Sequence, residues 1–172
     1  FTQVHEASYF DAILIGHSSS SADGFGIAQY AATHSERVNI LLAHRPGFAS
    51  PPQAARRVAT LDNLIEGRLW LHIITGGVDA DQRRDGDFTP HDERYERTSE
   101  YLEVMRTVWE ATEPVDFEGK YYRMSRAVSE VQAHQKPHVP LWFGGVSDAA
   151  IPVGAKHCDT CLLYTSPSPR DH

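Results

Sequence analysis

Two stretches of this chain place reactive or ligand-binding groups at suggestive spacing. In the first, Pro140-Leu141-Trp142-Phe143 runs directly into Gly144-Gly145-Val146-Ser147-Asp148. An apolar run delivers the backbone to two glycines and then to a good helix-starting serine. Glycine lets a backbone approach a ligand closely. A helix N-terminus offers unpaired N–H groups and a partial positive charge. Gly144, Gly145 and Ser147 therefore form a candidate phosphate seat, with a plain tight turn as the alternative. In the second stretch, Thr75 and Gly76 end an apolar run, and His91 and Tyr95 follow four residues apart, on one face of a helix. Near that helix's N-terminus both can point toward a ligand; packing for Tyr95, capping for His91 and strand-end capping for Thr75 are the alternatives. His17, His44 and Arg45 also follow strands; the histidines could shuttle protons near neutral pH, and Arg45 could meet an anion or a structural carboxylate. Cys158 and Cys161 have Cys-x-x-Cys spacing, yet no second pair accompanies them, so no metal site is expected.

The elements that must position these groups alternate. Apolar strands are expected at Ala12–Ile15, Arg37–Ala43, Arg68–Thr75 and Pro140–Phe143. Between them lie helical patterns: Phe25–Thr33, a helix opened by Ser50-Pro51-Pro52 and ended by Gly67, and a strong one from about Asp92 to Ala111. Gly76 to Pro90 reads as a long loop, and Val115–Met124 as a hairpin turning at Glu118-Gly119. Arg94 and Arg97 with Glu93, Glu96 and Glu100 read as a solvated helix face. Nearly continuous apolar strands alternating with helices imply a parallel sheet. That sheet is either open and doubly wound or a closed (β/α)8 barrel, and in both the loop after Thr75 lies on the ligand side.

Composition fits one globular domain: 172 residues, 41% hydrophobic, with a net charge of −7. The acidic balance argues against nucleic acid or an anionic membrane as main partner. No run is long and apolar enough to span a bilayer, no signal peptide is evident, and a reduced, cytoplasmic setting is expected.

Several motifs in register resemble the bacterial luciferase-like flavin monooxygenases. Arg45-Pro46, Ser50-Pro51, Ala54-Ala55-Arg56, Ala59-Thr60-Leu61-Asp62, Gly67-Arg68 and Ile74-Thr75-Gly76 resemble that superfamily's third and fourth units. His91-Asp92-Glu93-Arg94-Tyr95-Glu96-Arg97 resembles its HxERY segment, Asp116 to Tyr122 its hairpin, and Leu141 to Asp148 its phosphate-side strand and turn. The resemblance covers about Phe1 to Asp159 and is strongest to alkanesulfonate monooxygenases. It implies an α/β (β/α)8 TIM barrel that binds reduced FMN (FMNH2) and reacts it with O2. It further implies a separate NAD(P)H-dependent FMN reductase as flavin donor, a homo-oligomeric parent, and a small organosulfur substrate cleaved to aldehyde and sulfite. Thr75, Gly76, His91, Tyr95, Gly144, Gly145 and Ser147 are then the implied cofactor-binding residues, with Tyr95 suited to a phosphate oxygen. A deazaflavin-dependent hydride-transfer enzyme of the same superfamily, or a non-catalytic flavin-binding subunit, are the alternatives.

Three departures qualify that expectation. Where alkanesulfonate monooxygenases carry a cysteine after the second strand, this chain has Ser21. Pro152 falls within the helix expected after Ser147, implying a kink, a short helix or a sequence error. The barrel is expected to be incomplete, since a full one needs about 250 residues. The first strand and the C-terminal units, with the family's catalytic histidines and arginines, find no counterpart, so catalytic residues are unassigned and the isolated chain is expected to turn over little. Residues 1–160 read as partial barrel; from Cys161 the sequence departs from the family, and 161–172 reads as a non-native tail.

Overall fold

The computed structural model describes residues 1–162. Helix α1 (Thr2–Ala7) leads into β1 (Ala12–Ile15), α2 (Gly24–Ala32), β2 (Asn39–His44), α3 (Pro51–Leu64) and β3 (Leu69–Ile73). After β3 come α4 (Asp79–Arg84), the long α5 (His91–Glu110), the strands β4 (Val115–Glu118) and β5 (Arg123–Ala127), then β6 (Leu141–Phe143), α6 (Ala150–His157) and β7 (Thr160–Cys161). The expected strands and helices are all present, with ends shifted by a few residues. The tail assigned to 161–172 lies, from residue 163 onward, outside the described residues.

Five strands form one sheet in the order β1-β2-β3-β6-β7, every pair parallel. Spatial order follows chain order without the reversal that marks a doubly wound sheet, so the architecture is that of a partial barrel. Strand residues alternate faces. Ile13, Ile40, Leu42, Leu69, Leu71, Ile73, Leu141 and Phe143 join Ala28, Ala55, Val58, Leu102 and Met105 in one core between sheet and helices. The opposite face carries Leu14, Leu41, Trp70, His72 and Trp142. Trp70 and Trp142 stack there with ring centroids 5.2 Å apart, and Leu14 remains 53% exposed.

Helix α5 buries Tyr95, Thr98, Tyr101, Leu102, Met105, Val108 and Trp109, a helical spacing that fits one stripe against α3 and the sheet. Trp109 donates its indole N–H to the Ala55 carbonyl at 2.9 Å, tying α5 to α3. Helix α3 begins at Pro51 as expected, although the Ser50 side chain makes no capping bond.

Four details differ from the sequence-based expectation. The segment after β3 is not all loop: α4 forms there, with Asp79 and Asp81 in its first turn and Arg83 and Arg84 in its last, the charge order a helix dipole favours. The hairpin loop runs from Gly119 to Tyr122, because Glu100 gathers the amides of Lys120, Tyr121 and Tyr122 at 2.9, 2.9 and 2.7 Å. The charged residues of α5 are not a uniformly solvated face, since Arg94 is 1% exposed and bonded to Asp79. Finally, α6 begins at Ala150, so Pro152 lies in its first turn, where a missing N–H costs no helical bond.

Candidate functional site

The ends of four strands converge on a cavity of about 620 Å³. Ser18 reaches it from the loop after β1, Arg45 from the end of β2, Gly76 to Val78 from the end of β3, and Gly144 to Ser147 from the end of β6. His91 and Tyr95, from the first turns of α5, complete that side. Six of the seven predicted binding residues therefore meet in one place: Gly76, His91, Tyr95, Gly144, Gly145 and Ser147. Thr75 lies just outside. It is 2% exposed, and its hydroxyl donates to the Thr98 hydroxyl at 3.1 Å.

The Gly144–Ser147 turn is built as a cradle. The Gly144 amide donates back to Ile73, while the amides of residues 145–149 donate to no backbone carbonyl among the described residues. Ala150 and Ile151 then bond the Ser147 carbonyl as α6 starts, at 2.9 and 3.1 Å, and Ser147 Oγ accepts from the Ala150 amide at 3.3 Å. A Cβ on Gly145 would stand 2.9 Å from Ala150 Cβ and 3.3 Å from the Tyr95 hydroxyl. Only glycine keeps that turn, Tyr95 and the start of α6 together. His91 and Tyr95 pack edge to face, centroids 5.1 Å apart. Free amides, a helix start, a serine and a tyrosine hydroxyl form a donor set suited to a phosphate group.

The facing wall is a strap, residues 76–90, held by aspartates on arginines. Buried Arg45 donates to Asp81 at 2.6 Å and to Asp85 at 3.3 Å. Asp81 also accepts from the amide and hydroxyl of Ser19. The Ser19 bonds, then Arg45, hold the Asp81 carboxyl well below the usual range. Arg94 donates to Asp79 at 2.8 Å and to the Gly76 carbonyl at 3.1 Å, and Arg97 donates to Asp87 at 2.5 Å. Burial opposes ionisation of Asp87, but hydrogen bonds from Arg97 and Thr89 outweigh it and bring the carboxyl down to about 2. These aspartates and Gln82, which also lines the cavity, are the positional residues that the sequence reading missed. The four aspartates within Asp79–Asp87 were the available signal.

Other predicted candidates fall elsewhere. Arg45 does line the cavity, neutralised by its two aspartates. His44 points the opposite way, under α5, with Nε2 2.9 Å from the Tyr101 hydroxyl; burial pushes its pKa down to about 4. His17 is exposed beside the cavity mouth and outside its lining. Ser21 is occupied with its own turn, donating to the Ser18 carbonyl at 2.9 Å. Burial and then the nearby Asp159 push the Cys158 thiol up to about 12, so it is not a thiolate nucleophile.

A parallel partial barrel with one cavity gathered at its strand C-termini defines the class: part of a (β/α) barrel with its candidate site on the carboxyl side of the sheet. The chain belongs to the luciferase-like monooxygenase family, whose profile matches residues 1–172. Its fold is similar to that of a riboflavin lyase solved with modified FMN and riboflavin, at a TM-score of 0.89 and 18% identity over 98% of this chain and 47% of the other. An EDTA monooxygenase from Chelativorans sp. BNC1 gives 0.83 at 18% identity, covering 94% of this chain and 45% of the other. An F420-dependent secondary alcohol dehydrogenase, solved with an F420–acetone adduct, gives 0.80 at 22% identity, with coverages of 93% and 51%. This chain thus spans about half the length of the structures it resembles. No described helix is long and apolar enough to cross a membrane.

Proposed function

We propose that this chain supplies part of the barrel of an FMN-dependent monooxygenase that uses reduced FMN and O2, with a small organosulfur compound, an alkanesulfonate, as substrate. The observation that carries the cofactor reading is the meeting of the Gly144–Ser147 cradle with Tyr95 and His91 at the strand C-termini. The amides following Gly144, together with Ser147 Oγ and the Tyr95 hydroxyl, hold the phosphate. The His91 imidazole, partnered by Asp92 at 2.7 Å, lies at the rim of the same seat. Strap residues Gly76 to Val78, Asp81 and Gln82 also line the cavity. Reduced FMN, when bound, supplies the electrons that activate O2. A separate NAD(P)H-dependent reductase delivers that flavin, and the whole protein works as a homo-oligomer. The organosulfur substrate rests on the overall resemblance of the sequence to alkanesulfonate monooxygenases and on no contact within the cavity.

The test is a binding and turnover series on the intact protein. FMN should bind more tightly than riboflavin, which lacks the phosphate, and FMNH2 with O2 should release sulfite from an alkanesulfonate. Binding that ignores the phosphate sinks the cradle assignment; oxidation without sulfite release sinks the substrate class. A second reading, deazaflavin-dependent hydride transfer, is favoured by the similarity to the F420-dependent dehydrogenase. Preference for a deazaflavin over FMN would select it.

A further inference from the structure

Gln82 is a polar side chain with an unmet need. It projects from α4, is 1% exposed, and lines the cavity. Its amide lies against Thr75, whose carbonyl can only accept, so the nitrogen faces that carbonyl and donates at 3.4 Å. The oxygen Oε1 is left buried with no partner among the described residues. The other unpartnered buried atoms beside the strap are the Nε–H groups of Arg45, Arg94 and Arg97, which are donors already aimed by their own ion pairs.

The side chain is not free to turn toward solvent. Gly76 has φ +97°, and a Cβ there would collide with the Gln82 amide, so the glycine is what admits the side chain. Asp81, the preceding residue, is pinned by Arg45 and Ser19. A buried carbonyl oxygen held in place without a donor is costly unless something brings one.

We propose that Gln82 is a cofactor-contacting residue whose Oε1 accepts a hydrogen bond from a ring N–H of the flavin-type molecule in the cavity, fastening the strap over it. This rests on the flavin reading above. Flavins and deazaflavins both carry such an N–H on their ring, distant in chemistry from the phosphate. The contact therefore acts equally on FMN and riboflavin, whereas the Gly144–Ser147 cradle distinguishes them.

The experiment is a fluorescence titration of the intact protein with FMN, riboflavin and a deazaflavin. Gln82→Leu removes the acceptor at similar volume and should weaken FMN and riboflavin alike, by about tenfold. Gln82→Met serves the same purpose should the leucine variant not fold. Gln82→Glu, kept protonated by burial, can still donate to Thr75 and accept, so its affinity should stay within about threefold of the parent. Unchanged affinity in the leucine and methionine variants, or equal loss in the glutamate variant, overturns the contact while the flavin reading stands. A parent protein that binds none of the three ligands overturns the flavin reading and the contact with it.

Discussion

On one side of the cavity, Gly144–Ser147 offers backbone amides whose directions follow from a short local run of chain. On the other, the strap from Gly76 to Pro90 is fixed by Arg45, Arg94 and Arg97, which reach it from the end of β2 and from α5. The cradle needs a glycine pair and a helix start, and both are contiguous in sequence. The strap needs ion pairs between residues as much as 40 positions apart. A locally encoded wall survives changes elsewhere, while a wall assembled from distant charges can be loosened from several directions.

The largest effect separating the two walls should come at Gly76. An alanine there must adopt φ +97° and push the Gln82 amide aside. Left-handed strain and overpacking together should cost about 3 kcal/mol in urea unfolding. Gly86, at the far end of the strap, also has positive φ, +84°, but a Cβ there meets nothing. Gly86→Ala should cost only about 1 kcal/mol, the strain alone. Equal losses at both positions would show that Gln82 does not pack the strap against β3.

Acid should weaken the scaffold before it releases the strap. His44 has its pKa lowered to about 4 in the folded chain by burial, while the unfolded chain titrates near the ordinary 6.5. The unfolded state thus takes up its proton first, and stability present above pH 6.5 is lost as the pH falls toward 4. The upper bound is about 3 kcal/mol from this group. Asp81 and Asp87 have lowered pKa values, so their contribution persists above 3.8 and fades only below it. Unfolding free energy measured from pH 7 to pH 4 should fall, while amide exchange across 79–87, corrected for intrinsic rates, rises no faster than across β2. Selective opening of the strap at pH 5 would reverse this order.

The choice of a barrel over an open doubly wound sheet came from the family resemblance; the parallel α/β sheet itself was legible because strand–helix alternation and apolar runs such as Ile40–Leu42 and Leu69–Leu71 are local patterns. The cradle was legible for the same reason. The strap was not. Helix α4 has six residues and little apolar periodicity, so pattern reading returned a loop. Arg94 looked solvated because it stands in a charged run with Glu93, Glu96, Arg97 and Glu100, yet it is buried beneath Asp79 and Gly76. Thr75 was assigned to the cavity from its strand-end position; the direction of its hydroxyl, toward Thr98, depends on α5 packing across the sheet. Helix-face and strand-end rules locate a residue but do not say which distant element meets it.

Removing the anchor tests that dependence at intermediate magnitude. Arg45→Met keeps a long apolar stem but strips both bonds from Asp81 and Asp85. Amides in 79–87 should then exchange about tenfold faster, while those of α6 stay unchanged. Arg57, paired with Asp23 at 3.1 Å on an exposed surface, is the control, and Arg57→Met should leave exchange in the strap unaltered. Acceleration in both segments would mean that the two walls are one cooperative unit.

The smallest structural effect and the sharpest functional one should fall on Ser147. Its Oγ accepts from the Ala150 amide at 3.3 Å, a long bond at the start of an eight-residue helix. Ser147→Ala should cost no more than about 0.5–1 kcal/mol in unfolding, because the Ser147 carbonyl still receives Ala150 and Ile151. The same hydroxyl stands beside the free amides of the turn and can donate to a phosphate oxygen. Its removal should therefore narrow the preference for FMN over riboflavin by about fivefold, with riboflavin affinity itself unchanged. If both ligands weaken in parallel, the serine supports the whole cavity and not the phosphate. The backbone wall would then be as dependent on side chains as the strap opposite.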